Sequence, residues 1–413
     1  MNIFEQRESE VRSYCRSFPT MFSKAKNSTL YSVDGTEYLD FFAGAGALNY
    51  GHNNDYIKER IIEYVASDGV MHSLDMFAVA KEAFLETFSK KILEPRNMPH
   101  KVMFSGPTGT NAIEAAMKIV RKATGRKNIF AFTGSFHGMT AGALSITSGT
   151  PFQSSLQNNG TNVAFMPFPY GFNTSFDTIE YIKNILDDEH SGLEKPAAIF
   201  LEVLQSEGGI RPVPMDWLKR LRQLCTDYDI LLVIDDIQIG NGRSGKFFSF
   251  EWAEIQPDLI TLSKSISGYG LPMALVLIKP EYDVFYPAEH NGTFRGVQLS
   301  MVGAKAALEY REMVDLDQQV VKKAEMMDNY IKENILPLSD KFDTRGLGLL
   351  RGIDCHDGAF SKKVTTECFN NNLIMERAGN NDEVLKLMPP LIITEDEMFR
   401  GLEILKNAIK KSL

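Results

Sequence analysis

ILLVIDDI at residues 230–237 and LITLSKSI at residues 259–266 decide the fold. Each opens on unbroken apolar residues of strand length and ends on charge, Asp235 and Asp236 in the first and Lys264 in the second. A strand apolar at consecutive positions has both faces covered, as in a parallel sheet sandwiched between helices. NIFAFTGSF (128–136), AAIFLEVL (197–204) and MALVLIKP (273–280) read the same way. Between two of these runs, DWLKRLRQLCTDYD sets Trp217, Leu218, Leu221, Leu224 and Cys225 at helical spacing, with Asp216 placed to cap. From Gly109, GTNAIEAAMKIVRKAT makes another amphipathic helix with Ile113, Ala116, Met117 and Val120 on one side. Strands alternating with helices predict an α/β fold, a large and mostly parallel sheet covered by helices.

The flanks differ in texture. Near the start, Val33-Asp34-Gly35-Thr36 followed by EYLDFF is a hairpin-like signal. After about Ser300 come a long helical stretch (301–333), short strands around LGLLRGIDC and LIMERAG, and a closing helix from Glu395. The two ends are expected to join into a smaller α+β domain, residues 1–51 and 300–413, with the large α/β domain, 52–299, inserted between them. No internal repeat or low-complexity linker interrupts this pattern.

A chain of 413 residues suits one large and one smaller domain. At 44% hydrophobic and 23% charged residues it has an ordinary globular composition. The net charge of −9, without any basic block, argues against a nucleic-acid partner. MNIFEQRESEVRSYCRSF lacks the apolar stretch of a signal peptide, and no run approaches the roughly 20 residues that span a bilayer. Cys15, Cys225, Cys355 and Cys368 are scattered, with no CxxC pair and no histidine at zinc spacing. Free thiols, no metal site and a cytoplasmic location are expected.

Ligands of open α/β sheets gather beyond the carboxyl ends of the strands. Polar residues crowd that edge here: Phe136-His137, then Glu202, Gln205 and Glu207, then Asp235-Asp236 and Gln238, then Ser263-Lys264. Lys264 reads as a lysine within an otherwise apolar strand. Desolvation would favour its free, nucleophilic amine. An aldehyde cofactor would turn that amine into an imine, and Asp235 is the right carboxylate to hold a pyridinium nitrogen. A plain Lys–Asp ion pair satisfies the same pattern. SGPTGTNAIEAAMK offers a phosphate seat, with Gly106, Gly109 and Thr110 at a helix N-terminus, and it lacks the GK[ST] ending of a nucleotide loop. Asn291-Gly292-Thr293-Phe294 is a second glycine turn bearing a hydroxyl. Phe136 could lie flat on a cofactor ring with His137 beside it, although an isolated aromatic at a strand end is more often core.

LLVIDDIQIGNGRSGKFFSFE, PDLITLSKSISGYGLPMA and EHNGTFRG together resemble the class III aminotransferases of the fold-type I pyridoxal-phosphate enzymes, and the resemblance runs from FFAGAGALNYGHNN to LKLMPPLIITEDEM. ESEVRSYCRSFP, AGAGALNYGHNN, SGPTGTNAIEAA and SKSISGYGLPMA are similar to the diaminobutyrate–2-oxoglutarate branch of that class, known from ectoine biosynthesis. The resemblance implies pyridoxal 5'-phosphate as cofactor and small amino-acid and oxo-acid substrates. It implies Lys264 as the Schiff-base lysine and proton shuttle, Asp235 at the pyridine nitrogen, Gln238 near the ring hydroxyl and Phe136 stacked on the ring. Gly109 and Thr110 would hold the phosphate, joined by Thr293 from a neighbouring subunit, so that a homodimer with shared active sites is the smallest active unit. Glu207 would be the gating glutamate at the substrate end. Many 2-oxoglutarate-using relatives carry arginine before Pro-Pro where this chain has Lys386. The acidic pair is Asp235-Asp236 rather than Asp-Glu, and Val297-Gln298-Leu299-Ser300 departs from the usual asparagine or proline after TFRG.

Rival readings stay open on sequence alone. They are another class III ω-aminotransferase (ornithine, acetylornithine or 4-aminobutyrate), a glutamate-semialdehyde-type aminomutase, and a non-catalytic binding protein. Intact Lys264 and Asp235 argue against the last.

Overall fold

The structure is a computed structural model that describes residues 3–149, 153, 162–170 and 176–413. Two short helices, Ile3–Arg7 and Tyr14–Ser17, precede three short strands, β1 (Phe22–Lys26), β2 (Thr29–Ser32) and β3 (Glu37–Asp40). The large sheet begins with β4 (Lys101–Gly106), β5 (Ile129–Phe132), β6 (Val163–Met166) and β7 (Ala198–Leu201). A ribbon of β8 (Leu204–Gln205) and β9 (Arg211–Pro212) intervenes before β10 (Leu231–Asp235), β11 (Leu259–Leu262) and β12 (Ala274–Ile278). The last third adds β13 (Asp343–Leu347), β14 (Leu350–Asp354), β15 (Leu373–Ile374), β16 (Glu376–Ala378) and β17 (Val384–Leu387).

The large sheet runs in the order β4-β12-β11-β10-β7-β5-β6. Its strands are parallel except β12, which is antiparallel to both β11 and β4. Alternation explains why the central runs are apolar throughout. Ile199, Leu201, Leu232, Ile234, Ile260 and Leu262 pack on one face with Leu218 and Leu221 of the helix Met215–Asp227. Ala198, Phe200, Leu231, Val233 and Leu259 pack on the other with Ile113, Ala116 and Val120 of the helix Gly109–Thr124. Each large side chain so buried contributes about 2 kcal/mol. Asp216 is not the cap of its helix. Pro214 occupies that position, because a fixed proline φ suits a helix entry, and Asp216 lies inside the first turn, where its charge meets the positive end of the helix.

Strands from the two chain ends meet. β15 lies parallel to β3, with Leu373 opposite Leu39, and extends the sheet β1-β2-β3-β15. β2 and β3 form the antiparallel hairpin read from the turn at residues 33–36. A second sheet, β13-β14-β17-β16, is antiparallel. Leu39, Phe41 and Tyr50 share one apolar cluster with Leu373, Leu385 and Leu402. The expected helical stretch after residue 300 is two helices, Gln298–Met313 and Leu316–Tyr330, because Asp315 turns the backbone left-handed at φ 48°. The closing helix Glu395–Ser412 starts at a reciprocal cap. The Glu397 amide donates to Thr394 Oγ1 at 3.2 Å, and the Thr394 amide donates to Glu397 Oε2 at 2.9 Å.

Fully buried Arg243 ties the region beyond β10 to both chain ends. Its guanidinium donates to Asn49 Oδ1 and to the carbonyls of Leu349 and Pro389, at 2.6 to 3.1 Å. Among the described residues no helix is long and apolar enough to cross a membrane. Cys15 is exposed and Cys225, Cys355 and Cys368 are buried, all as free thiols.

Candidate active site

The carboxyl ends of β5, β7, β10 and β11 open on one cavity. Gly109, Thr110, Phe136, His137, Glu202, Glu207, Asp235, Gln238 and Lys264 line it together. Nine residues from five separate stretches of sequence therefore converge, and eight of them are the expected site residues. Glu202 was recognised only as a charge at a strand end.

Lys264 does not lie within its strand. β11 stops at Leu262, and Lys264 opens the 3-10 turn Lys264–Ser267 with a left-handed φ of 51°. That conformation is strained for a side chain with a Cβ and swings the lysine off the sheet toward the cavity. Burial pushes its ammonium down to about 8, helped by the charge of Lys386 and opposed by Glu207, Glu376 and Asp235. The plain Lys–Asp ion pair is not formed. Asp235 Oδ2 is instead bonded to His137 Nδ1 at 2.7 Å, while Oδ1 accepts from the Ile237 amide at 3.1 Å and Thr261 Oγ1 at 3.3 Å. Burial works against a charge on His137, but the hydrogen bond and the charge of Asp235 outweigh it and raise the imidazole pKa. The carboxylate is thus fixed in orientation at the end of β10.

At the opposite wall the helix Gly109–Thr124 presents its N-terminus, where the first amides lack partners within the helix. Gly138 closes over it with φ +133°, and an added Cβ would lie 2.6 Å from Thr110 Oγ1. Only glycine fits there. Thr110 Oγ1 is bonded to Thr140 Oγ1 at 2.6 Å. Gln238 donates to the Ala45 carbonyl at 2.9 Å, which brings the AGAG turn of residues 43–46 to the rim. Beside it, Gly46 has φ +88°, and a Cβ there would press on Gln238 at 3.3 Å.

The substrate-end candidates form a separate charge cluster. Lys386, on the inner strand β17, has a fully buried side chain and contacts Glu207 Oε1 at 2.7 Å and Glu376 Oε2 at 3.1 Å. Burial alone would lower its pKa, but the two carboxylates hold it above the usual lysine range. Burial likewise works to raise Glu207, and Lys386 overrides it and holds the carboxyl below its ordinary value. Lys386 is therefore a paired charge rather than a free cation facing the cavity. Glu376 had no place in the sequence reading. Its signal was the turn at residues 379–382, which folds β16 back on β17 and sets Glu376 opposite Lys386 as a cross-strand ion pair.

Thr293 is not brought to the cavity of its own chain. It is exposed in the turn Thr293–Gly296, which is joined to the segment at residues 71–73 by hydrogen bonds from Ser73 N to Gly296 O and from Gln298 N to Met71 O. Within the unusual Val297–Ser300 stretch, Gln298 is buried and donates to Ser73 Oγ at 2.8 Å, and Ser300 donates to the Pro272 carbonyl at 2.8 Å. Asp236 turns away from the site and accepts from the Ser249 amide at 3.0 Å, and burial raises its carboxyl to about 7. Among the described residues, Asp343, Asp354 and His356 come close enough to suggest metal ligands. Arg345 already pairs with both acids, at 3.1 and 2.8 Å, so their charge is compensated.

The sequence profile of class-III aminotransferases matches residues 12–409. The diaminobutyrate–2-oxoglutarate transaminase of Sporosarcina pasteurii is 49% identical, over 100% of this chain and 97% of that protein. A protein of the same name from Wolinella succinogenes is 48% identical, over 100% and 97%. In the solved structure of a transaminase from the marine bacterium Virgibacillus the fold is shared at a TM-score of 0.87 and 22% identity, over 99% of this chain and 95% of that one. The ornithine aminotransferase of Toxoplasma gondii shares it at 0.85 and 22%, over 99% and 93%.

Proposed function

The chain belongs to the class-III aminotransferase family, and from that premise we propose that it interconverts L-2,4-diaminobutyrate and 2-oxoglutarate with L-aspartate 4-semialdehyde and L-glutamate. The observation that carries the reading is Lys264, an amine poised to lose its proton at about 8, in one cavity with Asp235 and Glu207.

The residues fit pyridoxal 5'-phosphate. The N-terminus of the helix Gly109–Thr124, lying under Gly138, suits its phosphate, and a carboxylate clamped by His137 suits its ring nitrogen. Bound there, the cofactor would supply an electron sink for the carbon that gives up its proton. Lys264 would hold it covalently through the free amine that burial favours. Once displaced by the substrate's terminal amine, Lys264 would take the proton from the adjacent carbon and return it on the cofactor side. Asp235 would keep the ring nitrogen protonated, and Thr261 and the Ile237 amide keep Asp235 aimed. The amides of Gly109 and Thr110 would bind the phosphate, Phe136 would cover the ring with His137 behind it, and Gln238 would face the ring hydroxyl. Glu207 and Lys386 would serve the substrate end. The more exposed Glu207 would release Lys386 when the doubly acidic acceptor enters.

A homodimer goes with this reading. Thr293 and Phe294 are exposed beside a segment that also exposes Val70, Met71, Met76, Phe77 and Val79. An apolar patch of that extent is typical of a subunit contact, and it would carry Thr293 toward the phosphate of the neighbouring subunit. We place the enzyme in the cytoplasm, where three buried thiols and one exposed thiol would stay reduced.

The test is a panel of ω-amines with 2-oxoglutarate, followed by glutamate release, together with borohydride reduction and peptide mapping. Glutamate from 2,4-diaminobutyrate and a reduced adduct on Lys264 are expected. Glutamate from ornithine alone, rearrangement without any oxo acid, or an adduct on another lysine would each defeat the proposal.

A further inference from the structure

Asp40 closes β3, and both of its carboxylate oxygens are engaged. Oδ1 accepts from the amides of Phe42 and Ala43, each at 2.8 Å. Oδ2 is bonded to His52 Nε2 at 2.8 Å, and the Asp40 and His52 side chains are 2% and 15% exposed. The backbone of His52 is held in turn by paired hydrogen bonds with Asn27, at 2.7 and 2.8 Å. Between Asp40 and His52 lies the AGAG turn, where Ala43, Gly44, Ala45 and Gly46 have φ of 49, 57, 56 and 88°. L-residues visit this region singly rather than in runs, so the two alanines are strained. Strain of that kind persists only where the surroundings over-determine it. Asp40 fixes the entry of the turn, and Asn49 fixes its exit by accepting from the buried Arg243. The turn in turn borders the reacting amine. The Ala45 carbonyl accepts from Gln238 Nε2 at 2.9 Å, and a carbonyl can only accept, so it holds the Gln238 amide by its nitrogen end. A Cβ on Gly46 would stand 3.3 Å from Gln238 Cγ, 3.5 Å from Met388 Sδ and 3.8 Å from Lys264 Cδ. A histidine fixes Asp235 in the same manner.

We infer that Asp40 and His52 are positioning residues that hold the 43–46 turn left-handed and so set how Gln238 meets the cofactor. The inference rests on the proposed function for the cofactor and assigns a task to two residues behind the cavity wall. Without His52, Asp40 loses the bond that aims its carboxylate. Without Asp40, the turn loses the acceptor that bridges two successive amides at its entry. The strained alanines are then free to relax, and the Ala45 carbonyl moves off Gln238. The Asp235–His137 pair aims a carboxylate, whereas the Asp40–His52 pair aims a stretch of backbone.

The experiment compares the wild type with His52→Leu and Asp40→Ala, and with His52→Gln and Asp40→Asn, which keep a donor and an acceptor in those places. Amide hydrogen exchange over residues 41–48 is followed in the cofactor-free protein. Visible circular dichroism of the cofactor, and kcat with the best ω-amine, are followed in the loaded enzyme. In His52→Leu and Asp40→Ala the Phe42 and Ala43 amides should exchange about tenfold faster or more, the scale of a lost hydrogen bond to a charged group. The dichroism should change and kcat should fall about tenfold or more through misplacement, and His52→Gln and Asp40→Asn should recover most of both. Ala45→Gly, free to adopt the left-handed conformation, should restore much of the kcat lost in His52→Leu. In a Gln238→Ala background His52→Leu should cost no more than about twofold, since the two act as one unit. Faster exchange with wild-type dichroism and kcat overturns the inference, and so does an equal kcat loss with and without Gln238. Unchanged exchange in His52→Leu overturns it even if Asp40→Ala fails to fold. A wild type that takes up no pyridoxal phosphate removes the proposed function instead, and the exchange rates then decide alone whether the pair holds the turn.

Discussion

Lys264 and Lys386 are both withdrawn from water, and burial works against the charge of each, yet they end at opposite extremes. The ammonium of Lys264 falls to about 8, whereas that of Lys386 is held above the usual lysine range. Lys264 stands in a turn beyond a strand end, and the foremost charge acting on it is the repulsive one of Lys386. Lys386 stands inside β17 with a carboxylate opposite it in register and a second one 2.7 Å away. Desolvation sets the problem, and the placement of counter-charges decides the answer. One site thereby holds an amine that can react and, beside it, an amine that stays a fixed charge.

The sharpest way to break this comparison is to remove each lysine and ask what is lost. Lys264→Ala should lower turnover by about 10,000-fold or more, equivalent to over 5 kcal/mol of barrier, while unfolding close to the wild type. Rapid-quench glutamate release and denaturation of the cofactor-free protein check the two halves. Substantial residual turnover would mean that another lysine does the chemistry.

Lys386→Met should behave in the reverse sense. It strands two carboxylates in a buried cluster and should cost about 3–5 kcal/mol of stability. Adding Glu207→Gln and Glu376→Gln should recover most of that loss, because the triple variant has no charge left to compensate. A single variant as stable as the wild type, or a triple variant worse than the single, would show that Lys386 is not held by its charges.

The contrast also marks what the sequence could reveal. The inner strands were legible because alternate residues, such as Ile199 and Leu201 against Ala198 and Phe200, are buried on opposite faces. β4 and β6 escaped notice because they are the two edges of the sheet, half-exposed, and so lack a continuous buried run. The break at Asp315 escaped because an αL residue leaves no interruption in helical periodicity. Lys264 and Asp235 were readable as charges closing apolar runs. The bond between His137 and Asp235 was not, since it joins residues 98 apart in sequence. The state of Lys386 was hidden for a related reason. Lysine before a Pro-Pro looks like a free cation until β16 is folded back to place Glu376 against it.

Glu202 sharpens the comparison with a third outcome and the smallest effect. It follows β7, accepts from the Phe136 amide at 2.8 Å and has no fixed cation bonded to it among the described residues. Burial raises its carboxyl to about 8, only partly offset by His137. Where the Lys264 ammonium is brought down to about 8 and Lys386 is held charged by its partners, the Glu202 carboxyl is brought up to about 8, so that below that pH it is protonated and neutral. A carboxyl with a folded pKa of about 8, against an ordinary 4.5, contributes stability that is present in full at low pH and is lost as the pH rises through that window. Glutamine cannot titrate. The stability of Glu202→Gln relative to the wild type should therefore grow with pH by about 1.3 kcal/mol between pH 6 and pH 7. Denaturation of the two cofactor-free proteins at those pH values measures it. A difference that does not change with pH would mean that Glu202 is already ionised in the folded protein, and that His137 rather than a retained proton compensates it.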